Sequence, residues 1–232
     1  MHATPTIEDY LEAIYDLGGS GKPVIGARLA KHMSVSAPTV TETLRRMVRE
    51  GYVRVGPQKE VRLTKEGMTM AESLARRHRL LERWLTDVLE LDWASAHDEA
   101  HRLEHALSPK VEERLAVLLG MPSTCPHGNP IPGMSQPPPH EHISLAEAEA
   151  GQEIIVDRIT EEAEADRQLL SHLWQNGIRP GAILKVVEVA PYVGTITAKL
   201  GDRTVTLGLQ AATKIWVHPV LEGITKKRAR SR

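Results

Sequence analysis

SAPTVTETLRRMVREGYVRVGPQKEVRL, residues 36–63, reads as one helix running into a β-hairpin. Ser34 or Ser36 supplies an N-cap, Pro38 suits the first helical turn, and Gly51 falls where a left-handed residue closes a helix. YVRV (52–55) and VRL (61–63) are short β-like runs joined by the turn GPQKE. Two more helices precede them. TIEDYLEAIYDLGG (6–19) places Ile7, Tyr10, Leu11, Ile14, Tyr15 and Leu17 on a broad apolar face that Gly18-Gly19 ends, and VIGARLAKHM (24–33) turns Ile25, Leu29 and Ala30 inward. Three helices followed by a hairpin form a winged helix-turn-helix, here residues 1–65.

Downstream, an apolar stripe from about residue 68 to 91 marks a helix too long for a small winged domain to cover alone. Helices at 94–106 and 109–119 complete a helical domain, 66–120. Residues 121–143 are crowded with Pro and Gly and read as linker or irregular surface holding Cys125. The period then changes. Runs at 153–159, 183–189, 194–200, 203–209 and 214–220 are β-rich, with one helix at 164–177, so 144–222 is expected to be a small barrel-like β domain. Residues 223–232 form a basic tail. The fold class is mainly α with a C-terminal β domain, and no internal repeat is visible.

Hydrophobic residues at 41% and charged residues at 25% are ordinary for a globular protein, and no stretch approaches the roughly 20 apolar residues of a membrane span. The acidic start MHATPTIEDY has no apolar signal-peptide core. A single cysteine excludes an internal disulfide framework, and a cytoplasmic location is expected. The net charge of −1 says little, but its distribution says more. Between residues 30 and 65 eight basic residues face three acidic ones, and KKRARSR (226–232) adds five more, a pattern compatible with a DNA-binding module.

HDEAHRLEH (97–105) is chemically the densest stretch. On a helix, His97, His101 and His105 recur at i, i+4 and i+8 and drift by only about 80°, with Glu104 beside them. Imidazoles and a carboxylate on one arc suit divalent first-row metals. The alternative is a solvated face whose histidines are structural. Two weaker pairs share the chain: His78 with Glu82 on the long helix, and Asp9 with Glu12 on the first.

EDYLEAIYDL (8–17), SAPTVTETLRRMVREGYV (36–53), RRHRLLERWL (76–85), HDEAHRLEHALSPKVEERL (97–115) and HGNPIPG (127–133), in this order and spacing, resemble the diphtheria-toxin-repressor family of iron- and manganese-dependent transcriptional regulators over essentially the full length. The resemblance implies a winged helix, a helical domain that dimerises and binds metal, and a C-terminal SH3-like domain. By position it implies a primary metal site of Asp9, His101, Glu104 and His105, and an ancillary site of His78, Glu82 and His97. Asp166 or Glu164 are possible extra ligands, and Glu12 matches a ligand of manganese-selective members. Two positions depart from the family pattern. Residue 101 is His where Cys or Glu is usual, and residue 9 is Asp where iron-selective members carry Met. A carboxylate in place of a thioether favours Mn²⁺, with Fe²⁺ second, at one or two ions per subunit. An imidazole at 101 cannot bridge two ions as a carboxylate does, so a closely bridged pair is not expected.

At the DNA end, Ser36, Pro38, Thr39, Thr41 and Glu42 align with the start of the recognition helix, and Arg28, Arg46, Arg49 and Lys59 are candidate phosphate contacts. The expected partners are a double-stranded operator and a second copy of the chain. The expected activity is metal-dependent regulation, usually repression of metal uptake. A metallohydrolase would need a general base and an open coordination position, and the sequence offers no hydrolytic motif such as HExxH. Neither an enzyme, nor a small organic substrate, nor a membrane partner is expected.

Overall fold

The computed structural model describes residues 4–19, 22–135, 141–164 and 166–220. The basic tail at 223–232 and residues 136–140 of the expected linker lie outside the described residues. The chain divides into two compact units. One holds the described residues up to Leu91 with Ser95–Cys125 and Pro130–Ser135; the other holds Asp92–Ala94, Pro126–Asn129 and the described residues from 141 on.

The first unit opens with α1 (Pro5–Gly18), α2 (Gly26–His32) and α3 (Ala37–Arg49). Ser36, rather than Ser34, caps α3: its hydroxyl accepts from the Thr39 amide at 3.3 Å. The other end closes as the sequence requires. Gly51 takes φ +83°, which lets the amides of Gly51 and Tyr52 donate back to the carbonyls of Val48 and Met47. The chain thereby turns straight into the wing, β1 (Val53–Val55) paired antiparallel with β2 (Val61–Leu63). Val40, Leu44 and Met47 on α3 are buried against Ile7, Leu11 and Ile14 of α1 in one apolar cluster. Each such side chain contributes about 1.5–3 kcal/mol when fully buried, so α3 and α1 are held in one shared core.

Thr64 caps α4 (Lys65–Asp87), 23 residues long, which starts and stops a few positions before the apolar stripe suggests. Then α5 (Trp93–Leu103) passes into a 3₁₀ turn at Glu104–Ala106, and α6 (Pro109–Leu118) follows behind the Ser108 cap. The expected single helix at 94–106 is therefore two segments of different twist. Leu80, Leu81, Leu85, Ala96, Ala100, Leu115, Ala116 and Ile131 form the core here.

The expectation of a surface linker needs correction. Residues around 121–135 are irregular, as Pro and Gly dictate, but Cys125, His127, Asn129 and Ile131 are buried. The tip of this segment is built into the second unit. Asn129 Nδ2 donates to the Ile159 carbonyl at 2.8 Å and to Glu164 Oε1 at 2.7 Å, and the Ile159 amide donates to the His127 carbonyl at 2.8 Å. Gly128 (φ +90°) admits no side chain, because a Cβ there would overlap the Asp157 carbonyl oxygen. Polar residues are buried where partners for them exist, and composition gives no view of those partners.

In the second unit, β3 (Ile143–Ser144), β4 (Glu153–Ile159), β5 (Ile183–Ala190), β6 (Thr195–Leu200), β7 (Arg203–Gly208) and β8 (Ile215–Pro219) form an antiparallel sheet in the order β3-β8-β4-β5-β6-β7. Register shifts at Val156/Arg158 and Val186/Glu188 bend it into the SH3-like form expected of a domain this small. The short α7 (Glu161–Glu164) and α8 (Arg167–Asn176) lie between β4 and β5, with α9 (Leu209–Ala212) between β7 and β8. Alternate residues Ile154, Val156, Leu184, Val186, Ile196, Ala198, Val205 and Leu207 point into its core.

Candidate metal centre

The histidine arc of 97–105 meets two other elements in the first unit. Because α5 gives way to a 3₁₀ turn after Leu103, His105 is not simply one more helical step along the arc, and the three histidines serve different neighbours. His97 Nδ1 lies 3.0 Å from Glu82 Oε1 and 3.2 Å from His78 Nε2, both on α4. His101 Nδ1 lies 2.9 Å from Glu104 Oε1. His105 faces α1: its Nε2 is 3.1 Å from Asp9 Oδ1 and 3.4 Å from Glu104 Oε1, and its Nδ1 is 2.6 Å from Glu8 Oε2.

Glu104 is the hub. It has 0% of its surface exposed; its Oε1 faces His101 and His105 while its Oε2 lies 2.5 Å from His78 Nδ1. His78 also stands 3.1 Å from Glu82 Oε1 and 3.8 Å from Glu12 Oε1. The residues expected in a primary and an ancillary site are thus joined into one connected cluster, with Glu104 and His78 at the join. Of the expected set, Asp9, Glu12, His78, Glu82, His97, His101, Glu104 and His105 all come together. His101 is the most open, with 52% of its side chain exposed, so it is the member freest to reorient. Glu8 is a participant that sequence reasoning missed; only the neighbouring Asp9 and Glu12 drew attention.

In the second unit, Asp166 is an exposed N-cap, accepting from the Leu169 amide at 3.0 Å. Glu164 is buried within the second unit, 3.0 Å from His127 Nδ1 and 2.7 Å from Asn129 Nδ2.

Charge in the cluster is balanced by ring protons. Burial would lower the His78 imidazole, but the Glu82 carboxylate and hydrogen bonds to Glu104 and Glu82 outweigh it and raise the ring well above its ordinary 6.5. The hydrogen bond to Glu104 raises His101 as well, against its own burial. Burial pushes at Glu104 too, yet the hydrogen bonds from His101 and His78 bring its carboxyl down to about 2. Burial raises Asp9 against the pull of His101 and His105. Burial also pushes Glu12 up to about 7, with His78 opposing and Glu104 adding to the rise.

The donor set fits a divalent cation. Asp9 Oδ1 and Glu104 Oε1 are buried oxygens whose imidazole neighbours, 2.9–3.4 Å away, make only poorly aligned hydrogen bonds to them. Lone pairs that converge without an aligned N–H between them are what a shared cation requires. One ligand atom each from Asp9, Glu104 and His105, and likewise from His78, His101 and Glu104, lies within 4.8 Å of the others. The donors are carboxylate oxygens and imidazole nitrogens, suited to hard or borderline ions.

At the other end of the first unit, Pro38, Thr39, Thr41, Glu42, Arg46 and Arg49 are exposed on α3, with Ser36 at its cap and Lys59 (φ +62°) at the wing tip. Ser36 Oγ and Thr39 Oγ1 lie 2.8 Å apart, and Thr41 Oγ1 donates to the Ala37 carbonyl at 2.9 Å. Arg46 is paired with Glu50 at 2.7 Å. Arg28 is tied down, donating to the carbonyls of Lys22 and Pro23 at 3.0 and 2.9 Å. Arg45, also exposed on α3, joins Arg46 and Arg49 around a cleft of about 380 Å³ and was not singled out in the sequence.

A winged helix whose first helix shares a buried imidazole–carboxylate cluster with the adjoining helical domain defines a class of DNA-binding proteins. The comparisons with known proteins sharpen it. Residues 2–61 match the family described as iron dependent repressor, N-terminal DNA binding domain; residues 64–133 match its metal binding and dimerisation domain; residues 143–219 match the FeoA domain. The iron-dependent repressor IdeR of Mycobacterium tuberculosis is 38% identical over 225 residues, covering 93% of this chain and 97% of that one. The diphtheria toxin repressor of Corynebacterium diphtheriae is 35% identical over 191 residues, covering 79% and 84%. A solved manganese-dependent transcriptional repressor in complex with manganese superposes with a TM-score of 0.82 at 36% identity, covering 92% of this chain and 100% of that one. This chain belongs to the iron-dependent repressor family of metal-dependent transcriptional repressors. Its relatives are repressors, not enzymes.

Proposed function

We propose that this protein is a Mn²⁺-responsive repressor, with Fe²⁺ as the second choice, that binds operators of metal-uptake genes as a homodimer in the cytoplasm. One observation carries the reading. Asp9, Glu12 and Glu8 belong to α1, which shares one apolar cluster with α3, whereas His78, His101, Glu104 and His105 belong to the helical domain, and the two groups meet at 2.6–3.8 Å.

Asp9, His101, Glu104 and His105 would hold one ion, with Glu12 a further ligand, and His78, Glu82 and His97 a second, with one or two ions per subunit. Bound there, a divalent cation supplies the positive charge that ring protons supply without it. Glu104 presents one oxygen to each half of the cluster, so its carboxylate would help to hold an ion in either half. Asp9 from one side and His105 and Glu104 from the other then tie the orientation of α1 to that of α5. In a two-fold dimer that orientation sets the spacing of the two recognition helices, which must match half-sites on one face of the duplex. By linkage, metal and operator each tighten the binding of the other. Mn²⁺ is favoured because the groups Asp9–Glu104–His105 and His78–His101–Glu104 offer carboxylate oxygens and imidazole nitrogens rather than sulfur.

An apolar patch supports the homodimer. Val111, Val117, Leu118 and Met121 on and just beyond α6 are between 53% and 69% exposed, in the region that matches a dimerisation domain. Ser36, Pro38, Thr39, Thr41 and Glu42 would face base edges and the adjoining backbone, and Arg46, Arg49 and Lys59 phosphates, with Arg28 supporting the loop ahead of α2 as well. No helix among the described residues is long and apolar enough to cross a membrane.

The test incubates metal-stripped protein with sheared DNA from its own genome in Mn²⁺, in anaerobic Fe²⁺ and in chelator. Specific fragments are expected only with metal, and Asp9→Ala is expected to abolish this metal-stimulated binding. Retention of the same fragments in chelator would make the histidines structural and end this reading.

A further inference from the structure

Glu8 lies just before the residues that the metal reading uses, and its geometry gives it a separate role. Glu8 and Asp9 are consecutive on α1, yet both reach the same imidazole from opposite edges. Glu8 Oε2 is 2.6 Å from His105 Nδ1, and Asp9 Oδ1 is 3.1 Å from His105 Nε2. His105 sits on the 3₁₀ turn after α5, where the backbone has left the helical frame that would otherwise aim the ring. Ring and carboxylate are each about one-fifth exposed, at 20% and 19%, so the contact is shielded without being sealed.

We propose that Glu8 is the positioning residue of His105. By accepting the Nδ1 hydrogen bond, it fixes the tautomer that leaves the Nε2 lone pair facing Asp9 Oδ1 and Glu104 Oε1. This inference rests on the metal reading above. A histidine ligand whose second nitrogen donates to a carboxylate is both oriented and made more basic at the coordinating nitrogen. Without such a partner, the ring is free to rotate about its Cβ–Cγ bond and to place a proton on Nε2, where it would oppose a cation. Glu8 also ties α1 to the 3₁₀ turn before any metal arrives, so the same carboxylate holds the two halves of the cluster in register. The Asp9 side of the ring is then preformed rather than assembled on binding.

The experiment compares wild type, E8A and E8Q as full-length, metal-stripped protein, titrated with Mn²⁺ by calorimetry. E8A is expected to bind Mn²⁺ about 10–100-fold more weakly, the usual loss when an outer carboxylate partner is removed. E8Q retains an acceptor of roughly half the strength of a charged one, so its loss is about 3–10-fold. The ¹⁵N spectrum of the metal-free imidazoles should show an Nδ1–H tautomer for His105 in wild type and E8Q and a mixture in E8A. Equal Mn²⁺ affinity in wild type and E8A would overturn the proposal. So would equal losses in E8A and E8Q, which would make Glu8 a source of charge rather than of orientation. A wild type that takes up no Mn²⁺ would instead remove the metal reading on which the proposal stands.

Discussion

Glu104→Gln tests the electrostatic balance of the cluster most directly, because two opposing effects meet in one side chain. The Glu104 carboxylate is fully buried, 2.5 Å from His78 Nδ1 and 2.9 Å from His101 Nδ1. It also stands among other carboxylates, with an Asp9 oxygen within 4.8 Å. If repulsion among carboxylates dominated, removing one charge would stabilise the metal-free protein. The structure argues the reverse. Burial raises the Glu104 carboxyl, but the hydrogen bonds from His101 and His78 more than cancel it and leave the group at about 2 against an ordinary 4.5. A depression of that size is worth about 3 kcal/mol in favour of the charged form. The sign follows from linkage: a carboxyl lowered on folding stabilises the fold above about pH 4.5 and loses that contribution as pH falls towards about 2. Metal-free E104Q should therefore lose about 2–3 kcal/mol at pH 7 by urea denaturation, with the gap to wild type narrowing below about pH 4.5. Added Mn²⁺ sharpens the contrast. At one hundred times its dissociation constant a ligand stabilises by about 2.7 kcal/mol, and E104Q should gain almost none of this at the same concentration. An E104Q protein as stable as wild type at pH 7 without metal would refute the reasoning, since ring protons would then not be what neutralises these carboxylates.

Two further outcomes follow from the same geometry and from the DNA face. Glu12, which burial pushes up to about 7, must ionise to hold a cation, so Mn²⁺ affinity should rise about tenfold between pH 6 and pH 8 from this group alone. His78, raised well above 6.5, adds to that rise; calorimetry in two buffers would count the protons released, E12Q should flatten the profile, and a flat wild-type profile would contradict it. Arg49→Ala, on the exposed face of α3, should weaken operator and non-operator DNA alike and lower the slope of log affinity against log salt by about 1. A loss confined to the operator sequence would instead make Arg49 a base contact.

Much of this molecule is legible one element at a time. The cap at Ser36, the left-handed closure at Gly51 and the alternating β1–β2 hairpin are local devices, readable from a few neighbouring residues. The change from a helical to a two-residue period after position 143 announces the SH3-like domain in the same way. The candidate ligands were legible as well, as three sets of His and carboxylates at helical spacing. What spacing could not show was how they divide. The arc of 97–105 implies one face, but the 3₁₀ turn at Glu104 sends His105 to α1, leaves His97 with α4 and makes Glu104 the hub.

Glu8 carries no signal of its own, since an acidic residue in the first turn of a helix is ordinary. Its partner is 97 residues away in the chain. The segment around 121–135 misled for a related reason: Pro and Gly report correctly that no regular element forms there, and nothing about what lies alongside. The amino-acid sequence alone determined the order of the domains, the class of ligand chemistry and the recognition helix, because each depends on residues within one or two turns of each other. Only the tertiary structure decided that two expected sites form one connected cluster, that Glu8 meets His105, and that His127 and Asn129 are buried. Those facts depend on contacts between residues far apart in the chain, which exist only after the intervening loops have closed.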